Sequence, residues 1–195
     1  MKKLVLLVSV LSVGFAAMGF PIPGLSGTGN AMISAKNRVG QQGSMNNLRQ
    51  IFTGITMYIS AHDDMLPTDF SALSTYVGGG RIFVADFDKK SKAASGNVIK
   101  PENTSFAYVG NLGRIDALKE PAATPVAFEK PWLLPASQRA VMVLFADGHV
   151  DSVQLAASTP RSCSGVISQL SKKISDRTLK NKLSQNAAKE DRSKK

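Results

Sequence analysis

A mixed α+β domain, with one long amphipathic helix packed on an antiparallel β-sheet and a late Asp-Gly hairpin, is the fold class this sequence predicts. Three observations carry that prediction. Met45, Leu48, Ile51, Phe52, Ile55, Tyr58 and Ile59 recur at helical spacing and make one apolar stripe. Short apolar or alternating runs then recur at 105–109, 125–129, 140–146 and 149–155. Asp147-Gly148 joins the last two, and Asp-Gly between strand-like segments is a strong hairpin signal. With 195 residues and 43% hydrophobic content, the chain holds one domain plus end segments and is not disordered throughout.

Taken in order, residues 1–19 read as an export signal. Lys2-Lys3 is a basic start, Leu4 to Phe15 is apolar, and Ala17-Met18-Gly19 supplies the small residues of a cleavage site. The rival reading is an uncleaved anchor, because Leu4 to Phe20 reaches the lower limit of a membrane span. Ser9, Ser12 and Gly14 dilute the segment and favour cleavage. Residues 20–29 are a Pro/Gly-rich linker. The domain is expected over 30–157, its helix beginning at Asn30, with Ser44 as a cap if the helix breaks at Gly43. His62-Asp63-Asp64 before Leu66-Pro67 marks the helix exit. Phe70 to Tyr76 reads as a short helix capped by Asp69, and Arg81 to Ala85 as a brief strand. The helix stripe is expected to bury against Phe106, Tyr108, Val126, Val141 and Val143. Residues 158–195 read as a basic tail, partly helical or disordered, with the lone Cys163 unpaired in a flexible segment.

The net charge of +10 is uneven. Lys172 to Lys195 holds nine Lys/Arg against three Asp/Glu, and the body is close to neutral. That excludes a nucleic-acid face on the body and leaves membrane contact to the N-terminal segment or the tail.

Three stretches in the right order resemble the pseudopilin-like proteins with a prepilin-type processing-associated C-terminal motif, H-x9-DG. They are Ser44-Met45-Asn46-Asn47-Leu48-Arg49-Gln50-Ile51 with Tyr58 and Pro67, then Ile82 to Lys89, then Leu144-Phe145-Ala146-Asp147-Gly148-His149. Ser105-Phe106-Ala107-Tyr108 is similar to a further family strand. The motif positions matched are Asn47, Leu48, Gln50, Tyr58, Pro67, Phe145, Asp147, Gly148 and His149. The chain departs from the pattern: Ser137 stands at the motif's histidine, and Ser44 and Ala85 stand where the family usually has cysteines. No prepilin cleavage site follows Gly19. The resemblance implies a pilin-like fold and a structural or adaptor role at the cell envelope, connected with a type II secretion or type IV pilus-like system. Pilin-like subunits are among the partners it implies.

Asp147, His149 and Asp151 alternate and would share one strand face, a carboxylate-and-imidazole set suited to a divalent cation. The simpler reading, preferred here, is a turn followed by a solvated face. His62-Asp63-Asp64 with Asp86 and Asp88 is a second acidic group, and by resemblance a calcium site is conceivable there. Only two histidines exist, no Gly-x-Ser-x-Gly accompanies them, and Gly78-Gly79-Gly80 lacks the lysine of a phosphate loop. The expectation is a non-enzymatic protein of the periplasm or cell envelope without a cofactor. The alternative is a stand-alone extracytoplasmic module that binds calcium.

Overall fold

The computed structural model describes residues 28–96 and 98–194, so the expected leader lies outside the described residues. Helix α1 spans Thr28–Ala61. It passes Gly43 without a break, so Ser44 is an interior helical residue, fully buried, and not a cap. Gly54 persists inside this helix for a packing reason: a Cβ there would come within 2.5 Å of Val77 Cγ1. The exit is made by Asp63 and Asp64, with φ of 49° and 60°, and the Asp64 N–H donates to Ile59 O at 3.1 Å. Short polar side chains tolerate this left-handed geometry.

Asp69 caps a short 3-10 turn, Phe70–Leu73, that buries Phe70 and Leu73. The strand expected at Arg81 to Ala85 is a 3-10 turn, Gly80–Phe83. A short apolar run does not distinguish strand from turn by periodicity. Here the turn drops Phe83 fully into the core, and Ser105 N–H donates to Phe83 O at 2.8 Å.

The sheet comprises β1 (Phe106–Tyr108), β2 (Pro125–Glu129), β3 (Ala140–Phe145) and β4 (Val150–Gln154) in that spatial order, every pair antiparallel. Directly opposed residues share a face. The register therefore places Phe106, Tyr108, Ala127, Glu129 and Leu144 on one face and Ala107, Phe128 and Val143 on the other. Tyr108 packs 5.1 Å from Phe70 (ring centroids), and Glu129 faces Ser44, so the first face receives α1. Leu48, Ile51 and Ile55 are fully buried there, while Phe52 and Tyr58 are partly buried against the same core. Val141 and Val143, expected beneath α1, alternate onto the opposite face.

That opposite face is covered by the C-terminal segment, which of the two expected states, partly helical or disordered, takes the helical one. It forms α2 (Cys163–Leu170) and α3 (Arg177–Asp191). Ser162 and Asp176 cap them by accepting from Gly165 N and Leu179 N, each at 3.0 Å. Asp191 ties the two together, accepting from Cys163 N at 2.6 Å and Ser164 N at 3.0 Å. Cys163 is thus buried at a helix start, not in a flexible segment. No helix among the described residues is long and apolar enough to cross a membrane.

The Asp-Gly hairpin is present with a different turn from the expected type I′. Only Gly148 has positive φ, at 92°, and its N–H donates to Phe145 O at 3.0 Å. Phe145 N–H donates to His149 O at 3.0 Å. This is a type I turn over Ala146-Asp147 followed by a left-handed glycine bulge. A Cβ on Gly148 would also collide with the ring of Phe52. Gly148→Ala is expected to destabilise the fold by roughly 1–3 kcal/mol. The loss should be partly recovered in a Phe52→Ala background, a non-additivity read from denaturant melts of the four variants. Strictly additive losses would show that helix and turn do not meet there.

Candidate functional site

Helix α1 meets the sheet at a joint built from both ends of the motif region. On the helix side, Asn47 Nδ2 donates to Val84 O at 3.1 Å and Leu48 is fully buried. Gln50 is exposed. Tyr58 stacks on His62 at 3.9 Å and meets Tyr76 edge-on at 5.8 Å. The buried Pro67 offers its carbonyl to Tyr108 OH at 2.9 Å. On the hairpin side, Phe145 stacks on His149 at 4.3 Å, and Gly148 lies under Phe52. Apart from the exposed Gln50, the motif residues thus hold the helix, its exit loop and the hairpin to one another. Ser137, at the motif's histidine position, is exposed.

The candidate metal trio is only partly assembled. Asp147 Oδ1 lies 2.6 Å from His149 Nδ1 and accepts His149 N–H at 3.2 Å. Burial alone would raise the Asp147 pKa, but these bonds from His149 bring it below the usual value. Asp151 is not part of the pair, and its Oδ1 accepts the N–H of Ser152 at 2.7 Å. The second acidic group is dispersed. His62 Nδ1 bonds Tyr58 O, Asp86 pairs with Arg81 at 3.4 Å, and Asp88 is buried. Among the described residues, no group of three or more His, Cys, Asp or Glu is arranged to hold a metal.

Asp88 instead organises the loop beneath the joint. It accepts from Ser105 Oγ at 2.7 Å and from the N–H groups of Lys90 and Ser91 at 2.8 and 3.0 Å. Burial would raise its pKa, and these bonds outweigh that and lower it. Ser105 Oγ in turn accepts from Ala85 N at 2.9 Å.

Sequence reasoning missed the two ionisable residues at the end of β2. Lys130 is 2% exposed, and its ammonium donates to Pro101 O (2.5 Å), Thr104 O (3.0 Å) and Thr104 Oγ1 (2.9 Å). Burial lowers its pKa, and Glu190 opposes that. All three of its donors are used. Glu129 is fully buried and far less well served. Its Oε2 accepts from Met142 N at 2.9 Å, whereas Oε1 has no protein partner among the described residues. Ser44 Oγ faces this carboxyl and eases its ionisation slightly, yet completes no well-formed hydrogen bond with it. Burial pushes the Glu129 pKa up to about 7. The sequence signal was available: Glu129-Lys130 directly continues the apolar run Val126-Ala127-Phe128 with no break before Pro131.

Compared with protein-family models, curated proteins and solved structures, the chain finds no match.

Two outcomes test the joint. Glu129 binds its proton more tightly folded than unfolded, so its contribution is fully favourable at low pH and is lost as pH rises from about 4.5 to about 7. Denaturant melts should show on the order of 3 kcal/mol lost across that window. Glu129→Gln should flatten this component, and an unchanged slope would place the titration elsewhere. Ser44 and Ala85 also invite a test. A Cβ on Gly43 would lie 2.9 Å from Asp86 Oδ2, and Asn47 bonds Val84, so helix and loop run side by side at positions 44 and 85. Ser44→Cys with Ala85→Cys should form a disulfide on oxidation and raise stability by roughly 2–4 kcal/mol. Two titratable thiols persisting after oxidation would count against it.

Proposed function

We propose that this is an exported, non-enzymatic, pseudopilin-like protein that serves as a structural or adaptor subunit at the cell envelope, linked to a type II secretion or type IV pilus-like system. One observation carries the reading: a helix is laid by its Ser44–Ile59 stretch along one face of a sequentially ordered antiparallel sheet, with the matched motif residues other than Gln50 at its contacts. Such an arrangement leaves the outer side of α1, including Asn46, Arg49, Gln50, Thr53 and Met57, available to a neighbour. Met57 is 51% exposed, unusual for a large apolar side chain. The surroundings of the two histidines support the same reading. Both histidines are engaged by stacking and by short-range hydrogen bonds, His62 within α1's exit and His149 within the turn. Neither bonds a serine, threonine or cysteine side chain among the described residues, which a nucleophilic relay requires.

A photo-crosslinking residue at Gln50 or Met57 in the full chain, expressed in its own host, tests the proposal. The expected product is an adduct with an identified envelope protein or with a second copy, and mass spectrometry should place the mature N-terminus near Phe20. Exclusively unlinked monomer would overturn the adaptor role. A melting temperature raised by millimolar calcium would shift the reading to the stand-alone binding module.

A further inference from the structure

The turn between α2 and α3 gathers positive charge from two distant parts of the sequence. Lys172, Lys173 and Arg177 are exposed, and Lys180 is half-exposed one helical turn on. Glu120 Oε2 accepts from Ser175 N at 2.8 Å, which brings the exposed Lys119 to the same place. Lys119 and Lys182 both act electrostatically on Asp176, and together with Arg114 they line one cleft.

The acids of this neighbourhood are already committed. Asp176 caps α3, Glu120 accepts Ser175 N, and Asp116 is held by Arg114 at 2.7 Å. Among the described residues, Lys119, Lys172, Lys173, Arg177 and Lys180 have no carboxylate within ion-pair distance. The fold thus spends its local carboxylates on structure and leaves the cations to solvent. This differs from a solvated helix face, where opposite charges interleave.

We infer that the α2–α3 turn is a docking surface for anionic phospholipid headgroups, with Lys119, Lys172, Lys173, Arg177 and Lys180 as its contacts. Charge complementarity argues for an anionic partner, and each basic residue near such a surface adds to binding. The form of the patch argues for lipid over nucleic acid. Lys172, Lys173 and Arg177 are exposed at the turn, and no aromatic ring lines the adjoining cleft to stack on bases. The inference does not depend on a pilin-like role.

Co-sedimentation of the full chain with phosphatidylglycerol/phosphatidylcholine vesicles, against phosphatidylcholine alone, tests it. Any apolar binding by the leader contributes to both, so the readout is the preference for anionic vesicles. The quadruple variant Lys172→Gln, Lys173→Gln, Arg177→Gln, Lys180→Gln should lose at least about tenfold of that preference with an unchanged melting temperature. High salt should erase the preference in the parent chain. Should that variant fold poorly, Lys172→Glu with Lys173→Glu changes only two exposed side chains and should weaken the preference in the same direction. Substituting Lys89, Lys90 and Lys92 by Gln should leave it intact. A preference that survives removal of the patch, that falls equally with the control set, or that is outcompeted by duplex DNA at equal phosphate would overturn the assignment.

Discussion

The two central strands impose the constraint on which the rest of this structure depends. Every residue of β2, and all of β3 after Ala140, is buried, so neither face of the sheet centre is left to water. Antiparallel sheets commonly solvate one face and show it as alternation. Here Val126-Ala127-Phe128 and Val141-Met142-Val143-Leu144-Phe145 are continuous apolar runs, which demand cover on both sides. α1 supplies one cover. The second has to come from the other end of the chain, so the C-terminal segment folds back as α2 and α3. Leu179, Leu183 and Ala187 are buried on α3, and the segment's lysines are displaced to its outer side and to the turn.

Burial on both faces also explains why Glu129 and Lys130 have such different surroundings. Adjacent on a strand, they point to opposite sides of the sheet. Lys130 emerges where the 101–104 turn presents a carbonyl, a hydroxyl and a second carbonyl, so its ammonium is fully coordinated. Glu129 points toward α1, where helix backbone groups are already consumed in the helix and only one strand N–H remains to donate. A buried polar group with half its capacity unmet costs stability, and an ionised one costs more. The joint between helix and sheet is therefore weakened beside Glu129. Ser44 lies at that point, a residue too short to close the gap and too polar to ignore it.

Much of the fold was legible, and the failures have physical causes. β2 was readable to its bounds because Pro125 opens it and the apolar run is uninterrupted, and β3 was readable because Asp147-Gly148 closes it. The stripe Leu48, Ile51, Ile55 was legible because a 3.6 period has no other use in this stretch. Which valines face α1 was not legible, since a continuous apolar strand carries no alternation to mark its faces. That the C-terminal segment is partly helical was legible, but not that it covers the sheet: Leu179, Leu183 and Ala187 form too narrow a stripe to stand out among Arg177, Lys180 and Lys182. Of the candidate site, the alternation of Asp147, His149 and Asp151 suggested one shared strand face, whereas the structure pairs Asp147 with His149 in the turn and leaves Asp151 apart. The burial of Glu129 was not legible, because its environment is made by Ser44, far away in sequence.

The hairpin shows why the Asp-Gly pair says more than turn type. A type I′ turn would use Asp147 and Gly148 symmetrically and explain both by φ alone. In the observed turn, Asp147 has ordinary φ and earns its place through its carboxylate, which holds the His149 backbone and ring. That fixes His149 flat against Phe145, while Gly148 supplies the left-handed step and the clearance for Phe52. Asp147, Gly148 and His149 are thus three parts of one device that seats the hairpin against the helix. A metal bridging Asp147 Oδ1 and His149 Nδ1 would have to displace the 2.6 Å contact between those two atoms. The contacts to Phe145 and Phe52 thus account for the spacing of Asp147, Gly148 and His149.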